Sequence, residues 1–156
     1  MRATRAKFWS RLWDEYHAAG EPLPLTAKML AAWAIRTGRW EPHRDSVLSQ
    51  CAREAADALR EEYYTDPQGR RVRKKHVYAE KQEMFWADIE EDPTPDQMES
   101  AFALRRRQIL GDCHQLKTDA DSYNDNNSHG ATIQLMFDFR DDLAEMEAAS
   151  PVGAKS

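Results

Sequence analysis

Apolar side chains recur at intervals of three and four residues over the first 62 positions, a spacing that predicts amphipathic helices. Thr26 is a residue of the N-cap type, and Gly20 and Gly38 stand where helices commonly end. Proline cannot lie inside a helix, so the EPLPL segment and Pro42 separate the helical stretches. The predicted helices span about 7–19, 27–37 and 46–62.

The pattern changes after residue 62 to that of a β-hairpin. Tyr-Tyr-Thr at 63–65 favours a strand, and Asp66, Pro67 and Gly69 are the residues that a tight turn prefers. Pro presets φ in such a turn, and the Asp carboxylate bonds back to the turn backbone. The return strand is predicted over 70–78. It carries five cations: Arg70, Arg71, Arg73, Lys74 and Lys75.

Beyond residue 81 an aromatic patch and an acidic, proline-containing stretch predict a linker at 82–95. Thr94, Pro95 and Gln97 then form a strong helix start, with a cap, a proline at the first helical position and a reciprocal capping residue. We expect an acidic, largely helical extension over 96–147 and a disordered tail at 148–156.

Within this extension Phe102, Ile109, Leu116 and Tyr123 recur every seven residues, a spacing seen in coiled coils. Arg105, Asp112 and Asp119 follow Phe102, Ile109 and Leu116 by three residues each. A coiled-coil seam disfavours charged residues at those positions. Three uses therefore stay open for residues 96–147: dimerisation, packing against the first domain, and contact with another protein. The Arg105-Arg106-Arg107 run adds a further basic stretch, interpreted as a solvated face or as extra phosphate contacts.

Charge is divided unequally along the chain. Residues 1–81 contain 16 Lys or Arg against 11 Asp or Glu, a net +5, whereas residues 82–156 carry a net −10. A basic half beside an acidic one is typical of proteins whose basic part meets a polyanion. Uneven solvated faces are the simpler explanation, since net charge does not determine fold.

Composition and motifs exclude several classes of protein. Apolar residues make up 41% of the chain, which favours a folded protein, while no apolar run has the length of a membrane helix and the start does not resemble a secretory signal. Two widely spaced cysteines indicate reduced thiols, and we expect a cytoplasmic location. Neither a catalytic motif nor a metal-ligand spacing is present, so we expect no enzymatic activity, no metal and no cofactor.

Three helices followed by a basic hairpin have the element order of a winged helix, and residues 5–81 resemble a winged helix-turn-helix DNA-binding domain. The likeness depends on that order and on the segment DPQGRRVRKK. The expected fold class is mainly α with a small β-hairpin: a winged-helix N-terminal domain plus a helical C-terminal extension.

The resemblance implies that the third helix enters the major groove and that the hairpin contacts the DNA backbone. Arg and Gln can read base edges, whereas clustered cations bind phosphates without reading sequence. Acidic residues farther along the third helix confine its groove contact to the first two turns. The resemblance implies base contacts from Arg44, Ser46, Ser49, Gln50 and Arg53. It implies backbone contacts from Arg70, Arg71, Arg73, Lys74 and Lys75.

The function expected from this resemblance is binding of double-stranded DNA by a transcriptional regulator, with residues 96–147 forming a homodimer or contacting a protein partner. The regulatory role follows from analogy with the fold and not from the chemistry of a site. The alternative is a non-enzymatic interaction subunit of a DNA-processing or defence complex. The residues leave open whether RNA could replace DNA.

Overall fold

The structure is a computed structural model that describes residues 4–150, apart from the side chains of residues 44 and 45. Its helices are α1 (Arg5–Ala18), α2 (Ala27–Arg36), α3 (Arg44–Arg60), α4 (Pro95–Asn126) and α5 (Arg140–Ala149). Its strands are β1 (Tyr63–Thr65), β2 (Arg71–Arg73), β3 (Lys75–Glu80) and β4 (Glu83–Asp88), followed by a 3-10 turn at Ile89–Glu91. The expectation of a mainly helical protein with a small β component is confirmed. In the part of the chain described, no helix has both the length and the apolar character to cross a membrane.

The chain divides into two compact units, of which the first ends at Arg53. Its core lies between α1 and α2, where Leu12, Tyr16, Trp33 and Ala34 are buried. The Tyr16 ring meets the Trp33 ring edge to face at 5.4 Å, and the Tyr16 hydroxyl donates to the Pro22 carbonyl at 2.8 Å. The predicted cap of α2 is confirmed, since the Thr26 hydroxyl accepts the Met29 N–H.

Helix α3 forms where the sequence predicts it, but its apolar side chains do not enter a core. None of its described side chains, from Ser46 to Arg60, is buried, and Leu48 is 78% exposed. The expected apolar face at positions 48, 52, 55 and 59 contains two alanines, which offer little surface to bury. Among the described residues, the buried core of the first unit therefore comes from α1 and α2, and Leu25 and Trp40 of the flanking connectors pack against it.

The second unit begins at Glu54 and contains two antiparallel hairpins where one was expected. Strand β1 pairs with β2, and β3 pairs with β4 over six residue pairs. The predicted return strand at 70–78 is interrupted at Lys74, whose N–H donates to Glu62 while its carbonyl accepts from Ile89. The bond to Glu62 continues the register of the first hairpin by one pair, whereas the bond from Ile89 belongs to the second, so the chain passes from one pairing to the other at Lys74.

The predicted linker at 82–95 is corrected to strand β4 and the 3-10 turn, so a domain boundary at 81 would cut through a hairpin. The turn between β3 and β4 consists of Lys81 and Gln82, with φ of 49° and 66°. Two consecutive positive φ angles suit the right-handed twist of a hairpin, but Asn and Gly are the residues that usually signal them. Lys-Gln gives no such signal, which is why the sequence pattern missed this turn.

Helix α4 begins as predicted: the Thr94 hydroxyl accepts the Gln97 N–H, and the Gln97 side chain accepts the Thr94 N–H. Its first turns pack on β3. Ala101 is completely buried there, and the Ser100 hydroxyl bonds with both the N–H and the carbonyl of Ala79. This contact fixes the position of α4 relative to the second hairpin.

The extension over 96–147 is largely helical, as expected, with α4 and α5 separated by residues 127–139, which form neither helix nor strand. Asn124 and Asn127 explain the interruption, since their side chains bond to the backbone of Ile133 and of Ala131. Asn side chains compete in this way with helical hydrogen bonds. Of the predicted disordered tail, residues 148 and 149 belong to α5, and 151–156 lie outside the described residues.

We predict that Leu12→Ala lowers the free energy of unfolding of the first unit by about 2–5 kcal/mol, because a buried leucine leaves a cavity. Ile35→Ala, at a position of α2 that is 58% exposed, should change it by less than about 1 kcal/mol. Urea denaturation followed by tryptophan fluorescence measures both, since four of the five tryptophans precede Arg53. Equal effects of the two variants would contradict the core assigned to α1 and α2.

Candidate nucleic-acid interface

The tip of the first hairpin is held by the buried carboxylate of Asp66. One of its oxygens accepts the backbone N–H groups of Gln68 at 3.0 Å and Arg70 at 2.7 Å, and the other accepts Nε of Arg70 at 2.7 Å. Gly69 supplies the positive φ of 88° that closes the turn. Burial alone would raise the pKa of Asp66, but these bonds from Arg70 and Gln68 hold it below its ordinary value. The charged carboxylate thus stabilises the turn predicted from the sequence.

One face of the β1–β2 hairpin is basic and exposed at its tip end. The register places Tyr63 opposite Arg73 and Thr65 opposite Arg71, so these four side chains share a face. The guanidinium of Arg71 lies 4.1 Å from the centre of the Tyr63 ring, a cation–π contact. Tyr64 and Val72 occupy the other face, where both are half-buried. We call Tyr63, Arg71 and Arg73 the hairpin face.

Arg105 of α4 lies close enough to the hairpin face for charge to couple the two. Burial lowers the pKa of Arg105 from its ordinary value and the charge of Arg73 lowers it further, while Tyr63 acts in the opposite direction. Arg73 and Arg105 are both half-buried, and neither forms an ion pair with any described carboxylate. Two partly desolvated guanidinium groups thus lie within electrostatic reach of each other, and no described carboxylate pairs with either of them, an arrangement that an anion would stabilise.

His76 contacts both Arg73 of the hairpin face and Phe102 of α4. It is 4% exposed, its Nε2–H donates to the Arg73 carbonyl at 2.8 Å, and its ring meets the Phe102 ring edge to face at 5.8 Å. Burial lowers the pKa of His76; the bond to Arg73 opposes this, and the charges of Arg105 and Arg73 add to the lowering. The imidazole is therefore neutral at pH 7, and among the described groups its Nδ1 has no hydrogen-bond partner.

Lys74 and Lys75, predicted to contact DNA, are compensated within the protein. The ammonium of Lys74 lies 3.5 to 3.7 Å from carboxylates of Asp88, Glu62 and Glu90. That of Lys75 lies 3.0 Å from Asp88 and 3.6 Å from Glu62. Asp88 is the main cause that raises the pKa of Lys74, and the hydrogen bond from Lys75 is the main cause that lowers the pKa of Asp88. We assign both lysines to holding the two hairpins together.

The remaining predicted residues differ in how free they are to bind. Arg70 is bonded to Asp66, although most of its side chain is exposed. The Ser46 hydroxyl donates to the His43 carbonyl at 2.6 Å and is half-buried. Ser49, Gln50 and Arg53 are exposed on α3, in the first unit, and base contacts from them stay a prediction. The side chain of Arg44 lies outside the described residues.

Tyr63 is a site residue that sequence reasoning did not select, and Arg105 was considered only as one of the Arg105-Arg106-Arg107 run, without a reason to prefer it to its neighbours. The hairpin register alone could have suggested Tyr63. It lies three residues before Asp66, where the turn begins, and pairs with Arg73 on the return strand. Arg105 depends on how α4 packs on β3, which no local pattern encodes. No group of three or more His, Cys, Asp or Glu among the described residues could hold a metal ion.

We predict that protonation of His76 destabilises the fold. Because its folded pKa lies below 6.5, the unfolded chain takes up this proton first as the pH falls, so the free energy of unfolding decreases below about pH 6.5. His76→Phe removes this contribution and should flatten the pH dependence in that window. Thermal denaturation of both proteins across the window, with NMR titration of the ring, provides the measurement. A folded pKa above 6.5 would disprove the assigned surroundings of His76.

Comparisons with known proteins do not assign the chain to a family: no family model, no curated protein and no solved structure matches it.

Proposed function

We propose that this chain binds the phosphate backbone of double-stranded DNA through the hairpin face and Arg105. The observation that carries this is the pair Arg73 and Arg105, two half-buried guanidinium groups that no described carboxylate neutralises. Placing like charges together costs free energy in the isolated protein. A phosphate between them reverses that cost, since guanidinium groups suit phosphate oxygens in geometry as well as in charge.

The contrast with the neighbouring lysines supports this choice. Lys74 and Lys75 are adjacent in sequence to Arg73, yet each lies near two or more carboxylates. Carboxylates therefore lie next to the lysines that follow Arg73, but none of those described forms an ion pair with Arg73 itself. The lack of a nearby carboxylate therefore distinguishes Arg73, which is half-buried on the hairpin face, from the two lysines that follow it.

An extended polyanion fits the hairpin face better than a small anion does. Arg71 and Arg73 leave the strand about 7 Å apart, since a strand rises roughly 3.3 Å per residue. Two such side chains suit successive phosphates of one nucleic-acid strand. Arg71 is exposed and already oriented by the Tyr63 ring, so little side-chain freedom remains to be lost on binding.

The winged-helix resemblance places this hairpin on the DNA backbone and α3 in the major groove, with Ser49, Gln50 and Arg53 as the exposed candidates for base contacts. A transcriptional regulator is the use that this resemblance implies. Backbone contacts through the hairpin do not require the α3 contacts, and they would by themselves give binding without sequence preference.

We predict that Arg73→Gln and Arg105→Gln each weaken binding to a random-sequence duplex and reduce the slope of log affinity against log salt by about 1, the contribution of one phosphate contact. Each variant should be at least as stable as the unchanged protein, because a like-charge contact is removed. Fluorescence anisotropy across a salt series and thermal denaturation measure the two effects.

Lys28→Gln is the matched control, since Lys28 is an exposed cation of α2 in the first unit, whereas the hairpin face and Arg105 belong to the second. It should leave both the affinity and the salt slope unchanged. Equal losses from Lys28→Gln and Arg73→Gln would indicate general charge attraction without a site. If the unchanged protein does not bind duplex DNA at low salt, the proposed function is excluded.

The second candidate function is that of a protein-interaction subunit of a DNA-processing or defence complex. It is favoured by the apolar side chains that α4 and α5 leave exposed, among them Ile109, Leu116, Leu143 and Met146. Monomeric proteins seldom expose so many large apolar side chains on one segment. This alternative would be favoured if the chain does not bind duplex DNA at any salt concentration but binds a protein partner tightly.

A further inference from the structure

His76 lies in the part of β3 that the first turns of α4 cover. Its side chain is 4% exposed, and its partner across the β3–β4 hairpin is Ala87, which carries no charge. Because Nε2–H donates to the Arg73 carbonyl, a proton added to the ring goes to Nδ1, which has no hydrogen-bond partner among the described groups. Protonation would therefore create a buried N–H donor that no described group accepts, which is unfavourable in the protein alone.

Two cations approach this imidazole from neighbouring elements. Arg73 of β2 is held next to it by the 2.8 Å bond to the Arg73 carbonyl. Arg105 follows Phe102, whose ring contacts the imidazole, by three residues and so lies on the same side of α4. Burial is the largest cause that lowers the pKa of His76, and the charges of Arg105 and Arg73 lower it further. Lys75 points to the other face of β3, where carboxylates compensate it.

These two arginines are also the ones that we propose to bind phosphate. In the protein alone, their charges repel a proton on His76. A bound phosphate neutralises them and brings its own negative charge to the same place, so the electrostatic effect on the imidazole changes sign. Charges interact more strongly here than in water, because His76 is buried and both arginines are half-buried.

We propose that His76 takes up a proton when a DNA phosphate binds to Arg73 and Arg105, so that this buried histidine becomes a third cation of the site and strengthens binding in mildly acidic solution. The coupling rests on the proposed function, because it concerns the regulation of the same site. Binding equilibria are reciprocal, so if DNA favours the proton, the proton favours DNA to the same extent. Contact between His76 and the DNA is not required, since charge carries the effect.

The direction of the pH dependence follows from this reciprocity. Well above the pKa that His76 has in the complex, the ring is neutral with and without DNA and adds nothing to the affinity. As the pH falls through that value, the complex holds a proton that the protein alone does not hold, and the affinity rises. The gain is complete once the ring is protonated in both states. Histidine suits this role because its ordinary pKa of about 6.5 lies close to neutrality.

Fluorescence anisotropy with a random-sequence duplex at constant ionic strength tests the coupling. The unchanged protein should bind about three to ten times more tightly at about pH 5.5 than at about pH 7.5. His76→Gln keeps a donor for the Arg73 carbonyl but cannot take up a proton, so it should flatten this ratio. His114→Gln removes an exposed histidine of α4 and is the matched control, which should leave the ratio as it is in the unchanged protein. Circular dichroism at both pH values verifies folding.

NMR titration of the His76 ring measures the proton directly and does not depend on any variant. The pKa of His76 should be higher with duplex than without it. Arg105→Gln should raise this pKa in the protein alone, because one repelling charge is lost.

The outcomes separate the coupling from the proposed function. Duplex binding that leaves the pKa of His76 unchanged, or a His76→Gln variant that folds and keeps the full pH dependence, would overturn the coupling alone. If the protein binds no duplex at either pH, the proposed function fails and the coupling to DNA fails with it, even where Arg105→Gln raises the pKa of His76.

Discussion

The packing of β3 against the first turns of α4 is the constraint on which the second unit depends. Ala101 is small enough for the helix to approach the strand closely, and it is completely buried there. The contact places His76 under Phe102 and brings Arg105 close to Arg73. It involves only the start of α4, and the large apolar side chains of the described residues farther along the helix stay about half exposed.

Two groups of cations in this unit show how a protein can use the same charge differently. Lys74 and Lys75 lie near three carboxylates and connect the end of α3, the two hairpins and the 3-10 turn. Arg73 is their neighbour in sequence but points to the other face of its strand relative to Val72 and lacks such partners among the described residues. The end of β2 at Arg73 and the start of the β3–β4 pairing at Lys75 thus separate an available charge from the structural ones.

The sequence predicted the elements whose causes are local. The caps at Thr26 and Thr94 and the turn built on Asp66 and Gly69 depend on residues within a few positions, and all were expected. The Lys81–Gln82 turn was missed because its backbone angles are unusual for these residues. The compensation of Lys74 by Asp88 and the approach of Arg105 to Arg73 both depend on pairings between segments that are distant in sequence.

The same limit explains the difference between the expected and the observed hairpin. A run of five cations reads as one basic strand, but the sequence does not indicate which of them will meet carboxylates. That depends on strand register and on the return of the chain through β4. Side-chain chemistry could be predicted residue by residue, whereas charge compensation is a property of the assembled sheet.

The carboxylate of Asp66 has a consequence for the thermodynamics of recognition. Because it bonds to two backbone N–H groups and to the side chain of Arg70, the loop at the hairpin tip is ordered before any ligand arrives. The backbone entropy of that loop is lost when the chain folds, so binding of a ligand restricts only a few side-chain rotamers. A preorganised tip of this kind favours fast, reversible engagement over coupled folding and binding.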